Sequence, residues 1–234
     1  MLGWQNLLLE GKMEWGTTQL SREVVNVLKK MLDVEAISDE DFTSYAFSAD
    51  KILDNSIPNL HEIRLFVIAQ VVGDYETPEP AVHATYFREE EPEYSSLELY
   101  IYFPPDPSLN HLSKLLPTLK ETLRHELEHA DQSTETIAAI GGTPEFHDFG
   151  SVKRTYLSDG EVAAWVSGLY KRSKMQRRAL TEVIDEALNL AKDRILEAHE
   201  EMGTSILDLE VTRFIEELRE KWLDYARKRY PKAR

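Results

Sequence analysis

The chain has 234 residues, 42% of them hydrophobic, enough for one compact domain with a helical extension or for two small lobes. It contains no cysteine, so disulfide frameworks, thiolate-held zinc, dithiol redox chemistry and a thiol nucleophile are all excluded. The formal charge of −15 is uneven: residues 1–160 carry 12 Lys and Arg against 28 Asp and Glu, and residues 161–234 carry 15 against 14. An acidic first part repels phosphate backbones and anionic lipid, which argues against nucleic acid and membrane as partners.

Leu7-Leu8-Leu9 lacks the flanks of a signal peptide, and the longest apolar run, Leu65 to Val72, is far shorter than the ~20 residues of a spanning helix. A cytoplasmic protein is expected, in the host cytoplasm if the source is viral. In chain order, Val24, Val25, Leu28 and Leu32 fall at helical spacing behind Ser21, which predicts a helix over 21–32 with Ser21 as its cap. Acidic, irregular sequence is expected from there through Asp54. The stretches 63–69 and 84–87 then look like strands. Leu97, Leu99, Ile101 and Phe103 alternate with Glu98, Tyr100 and Tyr102, the period of a half-buried strand. A small antiparallel sheet over residues 62–103 is expected, with Glu89 to Glu93 as a hairpin loop.

After Pro107 the period becomes helical. Leu112, Leu115, Leu116, Leu119, Leu123, Leu127 and Ala130 form one stripe, with Pro117 as a break or kink and Gly141-Gly142 as the expected end. A loop containing Gly, Pro and His is expected to lead to Asp159-Gly160. From Glu161 onward the sequence reads as helix. One stripe runs from Leu180 to Ala198 and is closed by Gly203; another runs from Val211 to Tyr225.

The chemistry sits in the first long stripe, at His125-Glu126-Leu127-Glu128-His129, an H-E-x-x-H pattern. Residues four apart lie one helical turn apart on one face, so two imidazoles can bind one zinc ion at about 2.0–2.1 Å each. Glu126, beside the first histidine, is placed to take a proton from a metal-bound water. The third ligand separates the subclasses. Gln132 and Glu135 occupy the positions where a metzincin has its Gly and its third His, so that subclass is excluded. Glu161, 32 residues after His129, would complete a His₂Glu set; its structural alternative is a first-turn acid favouring a helix N-terminus. Asp159 is the fallback ligand. His147 and Tyr156 are candidates to stabilise an oxyanion, against plain readings as a loop histidine and a core tyrosine. Asp131 is a candidate to orient a ligand histidine as a hydrogen-bond acceptor, but a solvated helix face is the preferred reading for both Glu128 and Asp131. A second E-x-x-H is absent, which removes a di-iron bundle.

The strand Leu97 to Phe103, the segment Leu123 to Gln132 and the segment Tyr156 to Trp165 together resemble the minimal zincin fold of H-E-x-x-H metallopeptidases, of the gluzincin type. They are particularly similar to small zincin-like proteins of bacteriophages, in which an "HELxHxxQ" helix precedes a "YL…E" helix. The resemblance implies His125, His129 and Glu161 as zinc ligands and Glu126 as the base. Ala164 and Trp165 stand where larger gluzincins carry an N-E-x-x-S-D motif.

The expected fold is therefore α+β. A minimal zincin-like core, a small antiparallel sheet packed on the H-E-x-x-H helix, is followed by a C-terminal helical segment. Residues 1–160 form the acidic part with sheet and motif helix. Residues 161–234 form the helical segment that carries the third ligand, packed with the first part as one domain. The expected function is a zinc-dependent metallopeptidase hydrolysing peptide bonds of a peptide or protein substrate through a metal-activated water. The alternative is a zincin-fold binding protein whose metal is structural or lost, with the C-terminal helices as an oligomer surface. A protease acting at DNA is a third reading, opposed by the net charge.

Overall fold

The computed structural model describes residues 2–38, 42–49, 63–72, 79–87, 95–132, 148–204 and 206–231, with backbone alone over 2–10. The chain divides into two compact units, Met1–Asp131 and Gln132–Arg234. Among the described residues there are six helices and one four-stranded sheet, an α+β composition that ends in a helical segment.

The first unit begins with helix α1 (Leu2–Asp33). It extends well before Ser21, which caps nothing: the Ser21 hydroxyl donates to the Thr18 carbonyl at 2.9 Å, and that of Thr17 to Met13 at 2.8 Å. Both side chains lie on the buried face with Met13, Leu20, Val24, Val27, Leu28 and Met31. A hydroxyl that bonds back to its own helix can be buried without an unmet donor, so the stripe continues through polar residues where hydrophobic periodicity falls silent.

The strands are β1 (Thr43–Ser48), β2 (Arg64–Val71), β3 (Ala81–Phe87) and β4 (Ser96–Phe103), in the order β1-β2-β4-β3. The expected antiparallel sheet is corrected to a mixed one. β1 runs antiparallel to β2 and β3 antiparallel to β4, but β2 and β4 are parallel, with Leu65 opposite Leu97 and Val67 opposite Leu99. The period of two reveals which side of a strand is buried. Parallel and antiparallel ladders share that period, so it is silent on direction and neighbour. β1 falls inside the stretch expected to be irregular. It is an edge strand with most of its residues exposed, and therefore carries no apolar alternation to read. The expected hairpin loop at 89–93 lies outside the described residues.

Leu65, Val67 and Ala69 of β2 and Leu97, Leu99, Ile101 and Phe103 of β4 point into one core with α1 and with α2 (Leu109–Asp131). At roughly 25 cal/mol per Å² of apolar area, each such Leu or Val contributes about 1.5–3 kcal/mol of burial. α2 runs through Pro117 without interruption. The residues expected to end it, Gly141-Gly142, lie outside the described residues.

The second unit is helical: α3 (Phe149–Tyr156), α4 (Asp159–Gln176), α5 (Leu180–Glu201) and α6 (Asp208–Arg229). α3 corrects the loop expected before Asp159. Its start is made by the Asp148 carboxylate, which accepts from Gly150 N at 3.0 Å and Ser151 N at 3.1 Å. Val183, Ile184, Leu188 and Ile195 of α5 and Val211, Phe214, Leu218 and Trp222 of α6 are buried as the stripes predict, and Gly203 takes φ +64 just beyond α5. Among the described residues, no helix is long and apolar enough to cross a membrane.

Candidate metal centre

The leucine stripe of α2 points into the core of the first unit, and all of Leu112, Leu115, Leu119, Leu123 and Leu127 are buried. That packing sets the rotation of the helix and hence the direction of everything off the stripe. His125 and His129, one turn apart, turn their rings toward each other, with centroids 4.7 Å apart at 78°. Their Nε2 atoms converge to 3.1 Å. Two nitrogens bound tetrahedrally to one zinc at 2.0–2.1 Å are separated by about 3.3–3.4 Å, so the pair fits such an ion with a shift of a few tenths of an ångström. Glu126 lies on the same side, its Oε1 3.9 Å from His125 Nε2. Glu126 and His129 are buried and His125 is half-buried. A carboxylate and an imidazole taken out of water on one helical turn form a pairing that fold stability alone does not call for.

The expectation that Glu128 lies on a solvated face is corrected. Its carboxylate pairs at 2.6 Å with Arg124, whose guanidinium is fully buried. Arg124 was missed because nothing in a single Arg beside H-E-x-x-H signals burial. Asp131 closes the helix half-buried.

In the second unit, Glu161 stands in the first turn of α4. Ser158 is the cap, its hydroxyl accepting from Glu161 N at 3.3 Å. In a capping box the glutamate would return the favour by accepting the amide of the cap residue. Here that amide is already donated to the Thr155 carbonyl at 3.0 Å, so a reciprocal box does not account for Glu161. Asp159, the fallback ligand, points to solvent with its side chain 93% exposed and pairs with Lys221 Nζ at 2.9 Å. Lys221 also donates to the Leu157 carbonyl, and Gln132 Nε2 donates to the Gly160 carbonyl at 2.9 Å. Neither role was visible in the sequence: Gln132 stood out as the last residue of the HELxHxxQ pattern and as the place where a metzincin glycine is missing, with no partner indicated, and Lys221 lies 64 residues from Leu157.

Tyr156 ends α3 half-buried. Its ring stacks on Trp165 at 5.9 Å, and Trp165 stacks in turn on Trp222 at 5.9 Å. Burial, and secondly the negative charge of Glu161, push the Tyr156 hydroxyl up to about 12, against a smaller opposing effect of Arg194. It therefore keeps its proton at neutral pH and remains a hydrogen-bond donor. Tyr156 and Glu161 thus sense each other, while His125, Glu126 and His129 share one turn of α2. His147 lies outside the described residues. No known family model, curated protein or solved structure matches the chain.

Proposed function

We propose that the chain is a zinc-dependent peptidase in which His125, His129 and Glu161 hold the metal and Glu126 is the general base. The observation that carries this reading is the turn of α2 itself: two imidazole Nε2 atoms 3.1 Å apart, with a buried carboxylate 3.9 Å from one of them. The donor set of two imidazoles and one carboxylate, with no thiolate in the chain, suits zinc and leaves one position open. Bound there, zinc supplies Lewis acidity toward a scissile carbonyl and lowers the pKa of water. Glu126 takes the proton of the attacking water and returns it to the leaving nitrogen as the C–N bond breaks. The Tyr156 hydroxyl, protonated at neutral pH, donates to the oxygen on which negative charge develops. The substrate is a peptide or protein segment.

Zinc content and Glu126→Gln together test the reading. The protein is expected to hold one zinc per chain, and Glu126→Gln to retain it, because the residue is not a ligand. Cleavage of a peptide-library panel should fall by about 10²–10⁴-fold, the usual contribution of general-base catalysis. A chain that takes up no zinc, or a variant that cleaves at the wild-type rate with zinc bound, would sink the proposal. A binding protein with a structural metal makes the opposite forecast: no cleavage by either protein and an unchanged cellular effect of Glu126→Gln.

A further inference from the structure

The peptide unit joining Gly160 to Glu161 is held at both ends. Its N–H, that of Glu161, donates to Ser158 Oγ at 3.3 Å, and its carbonyl, that of Gly160, accepts from Gln132 Nε2 at 2.9 Å. A planar peptide gripped at its N–H and its C=O has little freedom to rotate, so the Cα of Glu161 is fixed in place and direction. The turn before it is gripped as well, since Lys221 donates to the Leu157 carbonyl and pairs with Asp159 at 2.9 Å.

The Gln132 bond does not serve to satisfy the carbonyl it meets. Gly160 lies inside α4, where a carbonyl already has a backbone donor four residues on. A second donor there adds orientation. Gln132 also directly follows Asp131, the last residue of α2, and stands three residues after His129.

Resting on the zinc reading above, we infer that Gln132 is a positioning residue that determines where the Glu161 carboxylate is presented, with Lys221 steadying the preceding turn. Gln132→Met keeps the length of the side chain and removes the donor, whereas Gln132→Lys keeps a donor. Zinc affinity, measured by competition with a chelator, is expected to weaken about 10–100-fold in Gln132→Met, the range for losing a hydrogen bond that orients a ligand. Gln132→Lys is expected to recover most of it. In a Glu161→Ala background, Gln132→Met should change affinity by less than about twofold, because its effect passes through Glu161. Equal losses in both backgrounds would make Gln132 a general structural residue, and no loss in the wild-type background would remove it from the site. Either result overturns the inference and leaves the metal site standing. Wild-type protein that binds no zinc, or His129→Ala that binds it undiminished, overturns the metal reading and this inference with it.

Discussion

α2, which bears the two histidines, and α6, the last helix, are nearly equal in length at 23 and 22 residues, and they place their charges in opposite ways. α6 keeps most of its ions toward water. Arg219 pairs with the half-buried Asp185 at 2.7 Å, and the exposed Lys228 pairs with the exposed Asp224 at 2.6 Å, while Phe214, Leu218 and Trp222 fill the core. α2 instead buries Arg124, Glu126 and His129 beside its leucine stripe. Taking an ion out of water costs several kcal/mol unless partners offset it, so α2 bears a standing cost that α6 avoids. Arg124 and Glu128 recover part of that cost through their contact at 2.6 Å. An apolar stripe shows which side of a helix packs. Ionisable groups buried beyond the stripe single out the turn on which the proposed site rests.

The contrast extends to the two acids at the start of α4, where it can be broken most decisively. Asp159 is exposed like the ions of α6, and Glu161 is half-buried like His125. Glu161→Ala is expected to weaken zinc binding by more than the ~100-fold upper range of an orienting hydrogen bond, since it removes the proposed third ligand itself. Asp159→Ala should change it little. Chelator competition on both variants decides, and the reverse ranking would move the ligand to Asp159.

Comparing two arginines sharpens the same point on stability. Arg124→Ala is expected to destabilise the fold by about 3 kcal/mol, because it strips the charge partner from a carboxylate that is itself largely out of water. Arg219→Ala, at a pair open to water, should leave the denaturant midpoint nearly unchanged. Comparable losses in the two variants would erase the distinction between the helices.

The smallest expected effect concerns Tyr156, whose proton is held up to about 12 against an ordinary value of 10.0, first by burial and then by Glu161. Below about pH 10 the folded and unfolded chains both keep this proton and its contribution is fully present. As pH rises toward 12 the unfolded chain loses the proton first, so folding stability falls across that window. The decline should be shallower in Tyr156→Phe, as measured by unfolding midpoints at stepped alkaline pH. Parallel slopes for the two proteins would mean that Tyr156 ionises as it does in water.

Much of the second unit was legible in the sequence because its helices bury continuous apolar stripes. Leu180 to Ile195 and Val211 to Trp222 could be placed from spacing alone, and so could the strand faces of Leu97 to Phe103 and the i, i+4 relation of His125 and His129. These features are local: a helical or extended backbone makes residues four or two apart share a face, wherever the rest of the chain goes. The tertiary structure alone decided the features that depend on distant neighbours. The parallel pairing of β2 with β4, the exposed edge strand β1 and the buried hydroxyls in the middle of α1 all left no periodic trace. The same holds at the candidate centre. His125 and His129 could be named from their spacing, but the burial of Arg124, the Ser158 amide already bonded to Thr155, and the grip of Gln132 and Lys221 on the turn before Glu161 are long-range or cap contacts. Hydrogen-bond partners are chosen by where the folded backbone brings a donor within about 3 Å of an acceptor, and residue spacing carries no record of that distance.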